Sequence, residues 1–299
     1  MSTLASLPDE PVLGEDAGER LSIPLHRRII ASPSALTGGV IVAFIVVLAV
    51  LSLFWTPYDP TAVSPSDSFQ GMSWHHLLGT DDYGRDVASR IMSGAKIILF
   101  SGAVSVAIAA VIGVPVGLIA ALRGGVVSDL LMRACDVIYG FPALLAAIVL
   151  AAAIGASTLS AMIAIGVASI PALARVTRSS TLPVLSSEFV LAARTYGRRR
   201  SVIVVRHVVP NIAPILIIQM STLFSLAILA EAGLSYLGLG TPPPQPSWGA
   251  MVQEGQNFLN RDALLAVWPG AFVALAVLGF NLLGDGLRDV LDPRLRRSR

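Results

Sequence analysis

Charge is scarce in this chain. Only 13% of its 299 residues are Asp, Glu, Lys or Arg, against about 25% in soluble domains. With 54% hydrophobic residues and a mean hydropathy of +0.73, a bilayer is the solvent for much of it. Lysine is scarcer still: Lys96 is the only one among 21 basic residues. A phosphate-binding loop needs Gly-Lys ahead of Ser or Thr, and Lys96 sits in "SGAKII", so no P-loop exists and no ATP hydrolysis by this chain is expected. The single cysteine, Cys135, excludes an intrachain disulfide. A net charge of +2 is too small to favour nucleic acid. G-x-S-x-G and H-E-x-x-H are absent, and no apolar run holds a cluster of acids, so neither enzyme chemistry nor a bound cofactor is expected. The pair His75–His76, near Asp81 and Asp82, lacks the ligand spacing of a metal site.

What is plentiful is uncharged chain. Uncharged runs cover 29–58, 97–122, 137–174, 208–230, 232–253 and 263–284. Crossing the hydrocarbon takes about 20 apolar residues. The 137–174 run is too long for one crossing and suits two short ones, with a turn at "IGASTLS", Ile154 to Ser160. The 232–253 run carries "GTPPPQPSWG", whose prolines at 242, 243, 244 and 246 forbid a spanning helix, so it reads as a loop. The expectation is an all-α integral membrane protein with six transmembrane helices near 36–56, 97–122, 134–154, 158–176, 212–233 and 263–285.

Six crossings put both termini on one side, and arginine chooses which. Apart from Arg85, Arg90, Arg261 and Lys96, every basic residue falls on a single face of this topology. The excess of positive charge marks that face as cytoplasmic. The first run is longer than a signal-peptide core and ends in "LFWTPYDP", without a small-residue cleavage site, so it reads as a retained anchor with Trp55 and Tyr58 at the interface. The chain then divides into a cytoplasmic tail (1–34), a first helix with an extracytoplasmic segment (35–94), a transmembrane core (95–287) and a cytoplasmic C-terminal tail (288–299).

A self-sufficient ion-coupled carrier usually holds ionisable groups at mid-membrane. The candidates Asp136, Glu231 and Asp285 all lie near helix ends. Asp129, Arg133 and Asp136 share one helix face and read as a solvated ladder, and Glu231 reads as interfacial. The driving energy is therefore sought in a partner. The segment "LSSEFVLAARTYGRRRSVIVVRHVVPN" (185–211) is the place to look. Pro183 blocks continuation of the fourth helix, and Ser186 can cap a new one. Phe189, Ala192, Ala193 and Tyr196 then recur at i, i+3, i+4 and i+7 as an apolar stripe. Gly197 suits the position after the helix end, and Arg198, Arg199 and Arg200 suit both the helix C-terminus and an anionic leaflet. Pattern alone leaves two readings open, docking on a partner or lying on the lipid surface.

"EFVLAARTYG", nine residues and then "HVVP" resembles the EAA signature of permease subunits in binding-protein-dependent ABC importers. Ala192, Ala193, Gly197 and Pro210 match the pattern. Leu191 stands in place of the family glutamate, Glu188 lies one turn upstream, and His207 and Val209 replace an isoleucine and a leucine. "HLLGTDDYGRDVASRIMSGAK" (76–96), "SDLLMRACDVIYGFPALLAAIVL" (128–150), "AEAGLSYLGLGTPPPQPSWGAMV" (230–252) and "GDGLRDVLDPRLR" (284–296) resemble the C-type permease of dipeptide, oligopeptide and nickel importers. The resemblance implies a type I ABC importer fold in a bacterial plasma membrane. It implies a second homologous permease subunit, two separate ATPase subunits that bind the ATP and magnesium, and an extracytoplasmic substrate-binding protein. It makes 187–197 the coupling helix, with Glu188, Phe189, Leu191, Ala192, Ala193, Tyr196, Gly197 and Pro210 as the docking residues. It makes 57–94 and 235–262 the contacts for the binding protein. It leaves the solute open among dipeptides, longer peptides, nickel chelates, haem and glutathione.

Overall fold

The computed structural model describes residues 32–291, so most of the tail at 1–34 and the last residues, 292–299, lie outside the described residues. Helices dominate, and there is no β-strand among the described residues. Among the described residues, five helical stretches are long and apolar enough to cross a membrane: α1 (Pro33–Phe54), α2 (Val87–Arg123), α5 (Thr158–Leu185), the continuous stretch Arg200–Tyr236, and α10 (Leu264–Leu291). The Arg200–Tyr236 stretch consists of α7 (Arg200–Ile203), one π turn (Val204–Val208) and α8 (Val209–Tyr236).

The expected third helix is not straight. Its chain forms α3 (Gly125–Gly140) and α4 (Ala143–Ile154), which meet at 82°, so the sixth crossing exists only as a bent pair. Pro142 lacks an N–H for the helical ladder and pushes Phe141 out of the helical region, to φ −92° and ψ 116°. The expected turn near 123–133 is shorter as well. Gly124 and Gly125, at φ +60° and +50°, reverse the chain by themselves, and α3 begins at once. The turn expected at 154–160 is present: Gly155 closes α4, and Ser157 opens α5 through a reciprocal cap with Ser160.

Two helices start well before their apolar runs. α2 begins at Val87 rather than 97, because Asp86 caps it, its carboxylate accepting from Ser89 N–H at 2.8 Å. The fifth crossing starts at Arg200 rather than 212. Its π turn lies just before Pro210, which cannot donate and whose ring crowds the carbonyl four residues back, so the helix widens there. The 232–253 run is not all loop. α8 continues to Tyr236, and α9 (Trp248–Gln256) follows the proline stretch, capped by Ser247. Capping chemistry directly after a proline run is the signal for that helix.

Small residues hold the crossings together. α2 packs parallel to α5 through Gly113 and Gly117. A Cβ on Gly113 would lie 3.0 Å from the Ile170 carbonyl, and one on Gly117 would strike the Ala174 carbonyl and sit 2.6 Å from Thr177 Cβ. Gly166 of α5 returns the arrangement by accommodating Ile108 of α2. In lipid, such close approach supplies the packing that a hydrophobic drive cannot. α1 runs antiparallel to α10, with Gly38 against Leu282 and Leu283, and Gly286 against Ala35. One half of the bundle centres on Ile45, Ile91, Ile98, Ile228 and Trp248; the other end centres on Leu173, Val190, Ile203, Val208 and Ile212.

Candidate functional site: an exposed short helix and a buried ion network

Between α5 and α7 the chain forms α6 (Glu188–Thr195). The route into it differs from the sequence expectation. Pro183 sits inside the last turn of α5 without ending it, since α5 runs on to Leu185. Ser186 closes α5, and Ser187 takes the cap position of α6. The Ser187 hydroxyl donates back to the Val184 carbonyl at 2.6 Å and makes no cap hydrogen bond to α6. The far end is a Schellman turn. Gly197, at φ +72°, donates to the Arg194 carbonyl at 2.9 Å, and Arg198 donates to the Ala193 carbonyl at 3.2 Å.

The helix is seated by a residue that the stripe omitted. Val190 is 0% exposed and joins Leu173, Ile203, Val208 and Ile212. Ala193, one turn on, packs against the same cluster and is only half exposed. Phe189, Ala192, Leu191 and Glu188 are exposed, and Tyr196 is 87% exposed. Thus the four-residue stripe splits: Ala193 belongs to the seat, while Phe189, Ala192 and Tyr196 point away from the bundle. Leu191 lies on the opposite flank of the helix, beside Glu188. Phe189 stands 6.2 Å, ring to ring, from His207 in the π turn, and Pro210 opens α8 behind it. The periodicity could not separate an inward from an outward face on a helix of eight residues with apolar residues on both.

The expected ladder along α3 is replaced by a tie between helices. Asp136 accepts from Arg175 Nη2 of α5 at 3.1 Å, and Arg175 also lies over the Tyr139 ring. Glu231, near the end of α8, is buried rather than solvated. It is 1% exposed in α8, with the Ser235 hydroxyl donating to it at 2.7 Å.

At the opposite end, sequence reading missed an ion network. Asp81 accepts from the backbone N–H groups of Tyr83 and Arg85, each at 2.9 Å, from Arg85 Nε at 2.6 Å and from Arg90 Nη1. Glu254 of α9 accepts from Arg85 Nη2 at 3.0 Å and Arg90 Nη2 at 2.8 Å. One side of the segment between α1 and α2 is thereby tied to α9, which Trp248 also fixes by donating to the Ile91 carbonyl beside Gly94. Nothing in the spacing of Asp81, Arg85, Arg90 and Glu254 brings Glu254 to the other three; the fold does. His76 pairs with Asp86, the cap of α2, at 3.0 Å, and there is no group of three metal-ligating side chains among the described residues. Asp82, at the edge of the network, has its acidity weakened first by burial and then by the charges of Asp81 and Glu254. The folded chain therefore holds this proton more tightly than the unfolded one, a contribution gained as pH falls through the carboxylate range and lost above it. Asp82→Asn is expected to raise the melting temperature slightly at neutral pH and to leave it unchanged in acid, as read by thermal unfolding at both pH values.

Residues 113–297 match the family model for the binding-protein-dependent transport system inner membrane component, and residues 25–71 match the N-terminal transmembrane domain of oligopeptide transport permease C. The chain belongs to this permease family. It is 36% identical over 262 residues to the dipeptide transport system permease protein DppC of Alkalihalophilus pseudofirmus, covering 88% of this chain and 86% of that one. It is 36% identical over 271 residues to the glutathione transport system permease protein GsiD of Pectobacterium atrosepticum, covering 90% of each chain. In fold, the permease resembles a chain of the MetNI methionine ABC transporter in an inward-facing conformation, with a TM-score of 0.56, 18% identity, and coverage of 68% of this chain and 96% of that one. The permease is a multi-pass membrane protein of a kind found in bacterial inner membranes.

Proposed function

We propose that this permease forms half of the translocation pathway of an ATP-driven importer for dipeptides, oligopeptides or related small solutes such as glutathione. The observation that carries the coupling half of this reading is α6, a short helix seated through Val190 and Ala193 that presents Phe189, Ala192 and Tyr196 outward. Such a helix fits a groove on a separate ATPase subunit, whose nucleotide-driven closure would pull α6 and, through the π turn and Pro210, the start of α8. A second homologous permease would complete the pathway, two ATPase subunits would bind the ATP and magnesium, and an extracytoplasmic binding protein would deliver the solute. Both termini and α6 would then face the cytoplasm, in keeping with their arginines. The relatives named for dipeptide and glutathione transport support the solute class. A self-sufficient ion-coupled carrier is the less favoured reading, because members of this family are named as components of larger transport systems.

The docking step has a clean test, because the seat and the outward face are distinct. Ala192→Arg adds bulk and charge to the exposed face and leaves Val190 and Ala193 in place. The expected result is a permease that reaches the membrane in normal amount, fails to co-purify with its ATPase and supports no uptake. Normal co-purification of Ala192→Arg would overturn the assignment of α6. Ala193→Arg is a poor substitute, since it would unseat the helix.

A further inference from the structure

The outer segment between α1 and α2 ends in a tight turn with an apolar tip. Ser73 and His76 close it: Ser73 N–H donates to the His76 carbonyl at 2.8 Å, and His76 N–H donates to Ser73 Oγ at 3.0 Å. Trp74, at its tip, is 95% exposed, and Met72 and Leu77 beside it are more than half exposed. The turn is not free to wander. The His76 ring sits 4.7 Å from the Tyr58 ring and bonds the Asp86 carboxylate, while Tyr58 N–H donates to Ser89 Oγ in the first turn of α2 at 3.0 Å. Tyr58 follows the end of α1 by four residues, so the turn that carries Trp74 is tied through His76 to the end of α1, where Phe54, Trp55 and Tyr58 are all exposed.

An almost fully exposed indole has no partner to cover its apolar body, and removing that body from water is favourable. The exposed side chains of α1 below it are the lipid-facing band of a membrane-spanning helix. The headgroup boundary is where an amphipathic ring gains most, because its body can face the acyl chains while its N–H remains hydrated. We propose that the turn 73–76 is an interfacial membrane anchor, in which Trp74, with Met72 and Leu77 beside it, inserts at the outer lipid boundary and extends the aromatic belt of α1. The anchor fixes the height of the outer segment, and with it the Asp81–Arg85–Arg90 cluster, relative to the bilayer.

The occupant of this surface is lipid, and a docked binding protein is the competing outcome. The assembled transporter would be placed in nanodiscs of phosphatidylethanolamine and phosphatidylglycerol, with lipids brominated either near the headgroup or near the chain terminus. Tryptophan emission of the wild type minus that of Trp74→Phe isolates the signal of Trp74. The expected result is strong quenching by the shallow bromolipid, little by the deep one and little by iodide in the water. Quenching by iodide without quenching by either bromolipid would overturn the anchor, as would iodide quenching that disappears when the binding protein is added.

Discussion

Arg90→Ala is expected to cost the folded permease about 3 kcal/mol, the lower end of what breaking a buried charge pair costs. The Arg90 side chain is 3% exposed and serves two carboxylates from different parts of the chain, Asp81 in the outer segment and Glu254 in α9. Removing it leaves both acids sharing Arg85, which keeps one bond to each and limits the loss. Arg90→Lys should recover only part of the stability, because one ammonium cannot span both carboxylates as a planar guanidinium does. Arg175→Ala is the matching control. Its bridge to Asp136 is exposed on both partners, and exposed pairs contribute about 0–1 kcal/mol. Thermal unfolding of the detergent-solubilised chain would rank the three. A wild-type melting temperature for Arg90→Ala would show that Arg85, Trp248 and packing hold α9 without Arg90.

Gly117→Leu is expected to be at least as severe, costing about 3 kcal/mol or more through forced overpacking. Even a methyl group at this position meets the Ala174 carbonyl, lies 2.6 Å from Thr177 Cβ and 3.0 Å from the Arg178 backbone nitrogen. Two of those three contacts are helix backbone, which cannot rotate away as a side chain could. The helices α2 and α5 must separate, and in lipid they are held only by close packing and interhelical hydrogen bonds such as that from Ser105 Oγ to the Met162 carbonyl at 3.1 Å. The level of mature chain in membranes, together with its melting temperature, measures the effect. Gly113→Ala grades it, since its nearest backbone contact is at 3.0 Å. Gly39→Leu checks that glycine content as such is not the cause, because nothing lies within 4 Å of its Cβ position.

The docking proposed for α6 turns on where that helix is seated. Val190 in the cluster with Leu173 and Ile212 turns one face of α6 into the bundle, and Ala192 and Tyr196 are thereby turned out. The substitution of Leu191 for the family glutamate lies on the flank beside Glu188, away from Phe189 and Tyr196. The exposed apolar face is therefore built without it.

Hydropathy and arginine placement by themselves determined that this chain is helical, crosses a membrane about six times and leaves a short segment free between the fourth and fifth crossings. Those features are legible because lipid tolerates almost no charge and no unpaired backbone, so crossings must read as long uncharged runs. The boundaries were legible only where capping is local. Ser157 and Gly155 announced the turn before α5, whereas the charged first turns of α2 and the arginines before α8 disguised helix as loop. Only the tertiary structure decided the inward face of α6, the burial of Glu231 and the meeting of Arg90 with Glu254. Each of these depends on which surface a neighbouring helix covers. Distances along the chain do not contain that information, because Arg90 and Glu254 lie 164 residues apart and meet only when α9 folds back onto α2.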